Sequence, residues 1–141
     1  MHVRSSLAIA GALALALLLG ACSSAAPAAG TTNVTVTMTD KGITLSDPSV
    51  PAGAVTFTVV NKGTIIHSLV LIKTDVPHDK MPLDPKDATK ADETGSVAAT
   101  GQMAVGASKQ IARQLAAGNY VLVCNEPAHY AVGMHIGLVV K

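Results

Sequence analysis

Aromatic residues are nearly absent from this 141-residue sequence, which has no tryptophan, one phenylalanine and two tyrosines. Any core must therefore be built from Val, Leu and Ile. Charge is sparse as well, with ten Lys+Arg against nine Asp+Glu. Nucleic-acid binding needs a concentrated basic face, and a chain so close to neutrality gives no case for one. Cysteine occurs twice, at Cys22 and Cys124. The longest apolar run, Leu7–Leu19, has thirteen residues, and a helix needs roughly 20 to cross a bilayer. No internal repeat is visible.

What is present at the start has the pattern of a secretory signal: Arg4 in a short leading segment, then the apolar run. The run ends in Leu19-Gly20-Ala21-Cys22, which resembles a bacterial lipobox. That resemblance implies a signal peptide over residues 1–21, cleavage before Cys22, and a diacylglycerol on its thiol. The other reading is an ordinary signal peptide with Cys22 a bystander. Ser23–Gly30 (SSAAPAAG) has no periodicity and no large apolar side chain. With Cys22 it forms a flexible linker over 22–31, leaving one domain over 32–141. Removal of Arg4 would make the charges nine against nine. Cys124 then stands alone, so an exported domain could close no internal disulfide, and its thiol needs another explanation.

Strand signals dominate beyond residue 32. Val34, Val36 and Met38 alternate with threonines, as do Val55, Phe57 and Val59. Pro51-Ala52-Gly53 supplies a turn. His67–Ile72 is a continuous apolar run, expected of a strand buried on both faces. Ser108–Leu115 and Asn119–Cys124 flank Ala116-Ala117-Gly118, which reads as a hairpin turn. In Met134–Val140, residues Ile136, Leu138 and Val140 share one phase. Lys73–Thr94 breaks the pattern with Pro77, Pro82 and Pro85, and reads as a long excursion with one short helix near Pro85–Asp92. The expected fold is all-β, a Greek-key sandwich or barrel of seven to eight strands.

Chemistry concentrates in Cys124-Asn-Glu-Pro-Ala-His129-Tyr-Ala-Val-Gly-Met134. Three soft or borderline ligands share one short loop, and His67 offers a fourth at the start of a strand. Alone, each has a bland explanation: His67 a polar residue at a strand end, Cys124 a small buried hydrophobe, Met134 part of the core. Together they form His₂Cys with a weak axial Met, the ligand set of a blue-copper electron-transfer site. Thiolate favours Cu(I) while imidazole accommodates both oxidation states. His78 lies in the polar excursion, where solvent exposure is expected. His135 follows Met134 and should face the other way along its strand; it is the substitute if Met134 is not the axial ligand.

From about Asn33 onward the chain resembles a small bacterial cupredoxin, kin to plastocyanin and azurin. The residues that carry the resemblance are Asn61-Lys-Gly-Thr-Ile-Ile-His67 and Gly118-Asn-Tyr-Val-Leu-Val-Cys124 with its ligand loop. It implies His67 as the upstream imidazole, Cys124 as the thiolate, His129 as the exposed-edge imidazole and Met134 as the axial thioether. It also implies a backbone N–H hydrogen bond to the thiolate, from the position of Ser68.

The function expected is an exported, membrane-anchored electron carrier with a single type 1 copper cycling between Cu(I) and Cu(II). The alternative is a periplasmic or cell-surface copper-handling protein without electron transfer. Enzymatic activity is not expected, since an oxidase or nitrite reductase needs further histidines for a second copper centre. The carrier would be a monomer, held to a bacterial membrane by its lipid on the periplasmic or extracellular face. It would dock a redox donor and acceptor in turn. Pro127, Ala128, Ala131, Val132 and Gly133 are small or apolar, and are the candidate docking rim around His129.

Overall fold

The computed structural model describes residues 30–141. The expected signal peptide, Cys22 and most of the linker lie outside the described residues. Among the described residues eleven strands follow in order: β1 (Thr32–Thr39), β2 (Gly42–Leu45), β3 (Ser49–Val50), β4 (Gly53–Asn61), β5 (His67–Lys73), β6 (Leu83–Asp84), β7 (Asp87–Ala91), β8 (Ser96–Met103), β9 (Ser108–Leu115), β10 (Gly118–Cys124) and β11 (His135–Val140). A four-stranded sheet, β2-β1-β4-β9, faces a five-stranded one, β3-β11-β10-β5-β8, and β6 and β7 pair separately. The two large sheets make the expected β-sandwich. Beyond the seven to eight strands expected, the extra ones are the two-residue β3 and the small β6–β7 pair.

The period-two segments bury one face each. Val34, Val36 and Met38 of β1 and Val55, Phe57 and Val59 of β4 are at most 1% exposed, while the intervening threonines stay at or near the surface. They meet Leu69, Leu71, Tyr120, Leu122 and Leu138 from the opposite sheet. Removing Phe57, the only phenylalanine, would cost about 3–5 kcal/mol. β5 and β10 read as continuous apolar runs because both of their faces are covered. Leu69 and Leu71 turn into the sandwich; Val70, Ile72, Val121 and Val123 turn outward, where Met81, Ala91 and Tyr130 close over them.

Two expectations are corrected. No helix forms among the described residues, and the Pro85–Asp92 region is instead the β6–β7 hairpin. Asp87 accepts hydrogen bonds from the Thr89 amide and hydroxyl, and the Asn125 side chain pairs with both the N–H and the C=O of Ala91. Those partners satisfy extended backbone that a helix would have satisfied internally. Nor do β9 and β10 form a hairpin. β9 pairs with β4, while β10 pairs with β5 and β11, so Ala116–Gly118 carries the chain from one sheet to the other. Burial explains the split: β9 buries only Ile111 and Leu115, as an edge strand should, whereas Tyr120–Cys124 is buried throughout.

Candidate metal centre

Three connections meet at one end of the sandwich: the β1–β2 turn, the β4–β5 loop and the long β10–β11 loop. His67 opens β5 and pairs in register with Met103, while Cys124 closes β10 opposite Leu69 on the strand beside it. Neighbouring strands lie about 4.8 Å apart, so the register alone brings the ring and the thiol into one layer. The β10–β11 loop then returns His129 over them. Its turns are closed by His129 N–H to Glu126 O (3.1 Å), Gly133 N–H to Tyr130 O (3.0 Å) and Met134 N–H to His129 O (3.1 Å). Ala128 sits at φ 66°, a left-handed conformation that costs a non-glycine residue about 1–2 kcal/mol. Its N–H is held by Thr89 O at 2.7 Å.

The structure brings His67, Cys124 and His129 together. Nδ1 of His67 lies 3.2 Å from Nδ1 of His129; Sγ of Cys124 is 3.7 Å from the first and 3.3 Å from the second. A triangle with those sides has a point about 2.0 Å from all three corners, close to metal–imidazole bond lengths and slightly short of metal–thiolate ones. A small outward shift of the sulfur accommodates an ion. Two imidazoles and a thiolate in a near-trigonal plane suit one copper ion.

Met134 is 1% exposed. Its carbonyl accepts the Cys124 N–H at 2.9 Å, so its backbone is locked to the thiol-bearing residue. The Ser68 N–H points at Cys124 Sγ, 3.4 Å away, the contact the resemblance implied. Burial pushes the Cys124 thiol upward, against smaller opposing effects from the Glu126 and Ser68 amides. Burial, then the His67 ring, lowers His129, which favours the neutral form that can ligate.

Three supporting residues were not found from sequence. Asp40, in the β1–β2 turn, places Oδ1 3.1 Å from Nε2 of the fully buried His67. This holds the proton on Nε2 and leaves the Nδ1 lone pair facing the site. Thr64, through its hydroxyl and then its amide, keeps the Asp40 carboxyl below its usual range, with a smaller effect from His67. Asn125, next to the thiol, spans from β10 to β7 and Glu93. Asn61 was recognised only as part of a motif. It is fully buried, donates to the carbonyls of Ile65, Met103 and Ala104, and accepts the Gly63 N–H. Gly63 itself passes so close that a Cβ there would collide with the Asp40 carboxylate and the His67 ring.

The candidate rim is largely open. Pro127, Ala128, Ala131, Val132 and Gly133 are exposed beside half-buried His129. Ile65, Ile66 and Val105 add exposed apolar surface from the adjoining loops. His78 departs from expectation: it is half-buried, with Nδ1 2.7 Å from Nδ1 of His135.

Comparison with curated protein sequences finds no match. Among solved structures, reduced rusticyanin is 24% identical over 81% of this chain and 81% of its own, with a TM-score of 0.63. The dithionite-reduced auracyanin of Roseiflexus castenholzii is 29% identical over 81% and 98%, with a TM-score of 0.54. Auracyanin A, a blue copper protein of Chloroflexus aurantiacus, is 22% identical over 79% and 100%, with a TM-score of 0.55. The rusticyanin and auracyanin A matches are likenesses of fold. A family model for the cupredoxin-like domain matches residues 11–136, most of the sequence, and the chain belongs to that family.

Proposed function

We propose that this protein is a one-electron carrier with a single type 1 copper, held by His67, Cys124 and His129 and capped axially by Met134. The observation that carries the reading is the convergence of two imidazole nitrogens and one thiol on a point about 2.0 Å from each, a distance suited to metal ligation. A rigid ligand cage suits electron transfer because little need move when the electron arrives. Delivery of copper would require the ion to leave, and His67, Cys124 and Met134 are at most 1% exposed. That burial favours a carrier over a copper-handling protein. The half-buried His129 edge, ringed by apolar side chains, is the proposed electron port.

The carrier reading is tested on half-reduced copper protein. Proton resonances near the copper should be averaged by rapid self-exchange, and voltammetry should give a reversible one-electron wave. Separate oxidised and reduced spectra with no exchange would contradict it. Export and membrane attachment are part of the same proposal and rest on the lipobox-like sequence at Cys22. A mature protein whose mass includes a lipidated Cys22, lost in Cys22→Ala, supports them; an unmodified or absent Cys22 contradicts them.

A further inference from the structure

His78 and His135 come from segments far apart in sequence, the proline-rich excursion and the first residue of β11. They meet on the outer face of the five-stranded sheet. Each is fixed by its backbone. The His78 carbonyl accepts the Tyr130 hydroxyl at 3.1 Å, and that hydroxyl accepts the Met81 N–H at 2.9 Å. His135 pairs in register with Val123. The two rings lie 4.9 Å apart, and the Tyr130 ring is the same distance from His135. His78 also lines a surface groove of about 370 Å³ with Val76, Pro77, Ile136 and Gly137, so water reaches this side of the pair.

The two Nδ1 atoms are 2.7 Å apart. In one tautomer they form an N–H···N hydrogen bond. With both protons on Nε2, the same two lone pairs would be free to face a shared ion, as the Nδ1 atoms of His67 and His129 would at the proposed copper centre. Nitrogens 2.7 Å apart that each bond a metal at about 2.0 Å subtend an angle of about 85°. That is close to the right angle between adjacent ligands of tetragonal Cu(II) and far from a tetrahedral angle. At the copper centre the 3.2 Å separation gives about 105°. We propose that His78 and His135 form a second, surface-accessible metal site that takes tetragonal Cu(II), with water completing the coordination. Asp79 follows His78 in the chain and is exposed, and its carboxylate adds the negative potential a divalent ion favours. The inference rests on this pair alone and stands apart from the carrier reading.

Full-length protein with its primary centre filled with copper and freed of excess metal is titrated with further Cu(II) and followed by paramagnetic resonance. One additional ion per chain is expected, with a wide parallel hyperfine splitting and superhyperfine structure from two nitrogens. His78→Gln keeps an amide donor for His135 but removes an imidazole. It should weaken the second ion at least tenfold while leaving the primary signal unchanged. His135→Gln should do the same to the second ion. His135 adjoins Met134, so His78→Gln is the deciding variant. Failure of the wild type to take up a second ion overturns the proposal. So does a second ion that His78→Gln binds as tightly, since that ion lies elsewhere on the chain.

Discussion

The Asp40 carboxylate lies 3.1 Å from Nε2 of His67, the ring whose other nitrogen faces Cys124 and His129. A surface turn thus places a negative charge one imidazole away from the proposed copper. A negative charge stabilises Cu(II) over Cu(I) and lowers the reduction potential. Asp40→Asn keeps an acceptor for the Nε2 proton and removes the charge. It should raise the potential by up to about 59 mV, a tenfold change in relative affinity for a one-electron couple. The carboxylate is about one-third exposed, so solvent screening makes this an upper value. Voltammetry of both proteins at one ionic strength checks the sign and size.

Gly63 is required by space. A methyl group there meets the Asp40 carboxylate and the His67 ring. Gly63→Ala should destabilise the metal-free protein by about 1–3 kcal/mol, the usual cost of overpacking, and weaken copper binding as His67 is displaced. The exposed neighbour Lys62 serves as a control, since Lys62→Ala should change neither. Thermal unfolding of the apo forms and a copper titration read the two effects separately.

The proposed axial ligand has its own signature. Met134→Leu should keep the blue colour and raise the potential, because a weak donor to Cu(II) is lost. Met134→Gln should lower it by supplying a harder oxygen donor. A potential that moves in neither variant would place Met134 away from the metal.

Much of the sandwich was legible because one-sided strands alternate. Val34, Val36 and Met38, and Val55, Phe57 and Val59, bury the predicted faces. The unbroken apolar run of β5 correctly signalled a strand covered twice. β8 escaped notice because it is an edge strand that buries only Ala98 and Met103. The β6–β7 hairpin escaped because side chains remote in sequence satisfy its backbone, Asn125 above all. The His67, Cys124 and His129 cluster was legible because its chemistry is distinctive and two of its members share a loop, which also carries the proposed axial Met134. Asp40 was not, since Asp40-Lys41-Gly42 is an ordinary turn until folding sets it against His67. The His78–His135 pair was hidden for the same reason.

Electron exchange should depend on the rim. Val132 is 67% exposed, and Ile65 and Ile66 are about half exposed on the adjoining loop. Brief redox encounters use small interfaces, below roughly 1,200 Å², so one buried charge matters. Ala131→Asp or Val132→Asp should slow self-exchange at least tenfold with the spectrum and copper content unchanged. Unaltered rates in both variants would move the port elsewhere.

The central claim is that Cys124 binds copper as a thiolate in a His₂Cys centre, and the optical and paramagnetic resonance spectra of the copper(II) protein test it most directly. The expected result is an intense blue thiolate-to-copper charge-transfer band with a narrow parallel hyperfine splitting. Both should vanish in Cys124→Ser even where copper still binds. A pale wild-type protein with a tetragonal signal, or a Cys124→Ser variant that stays blue, would contradict it.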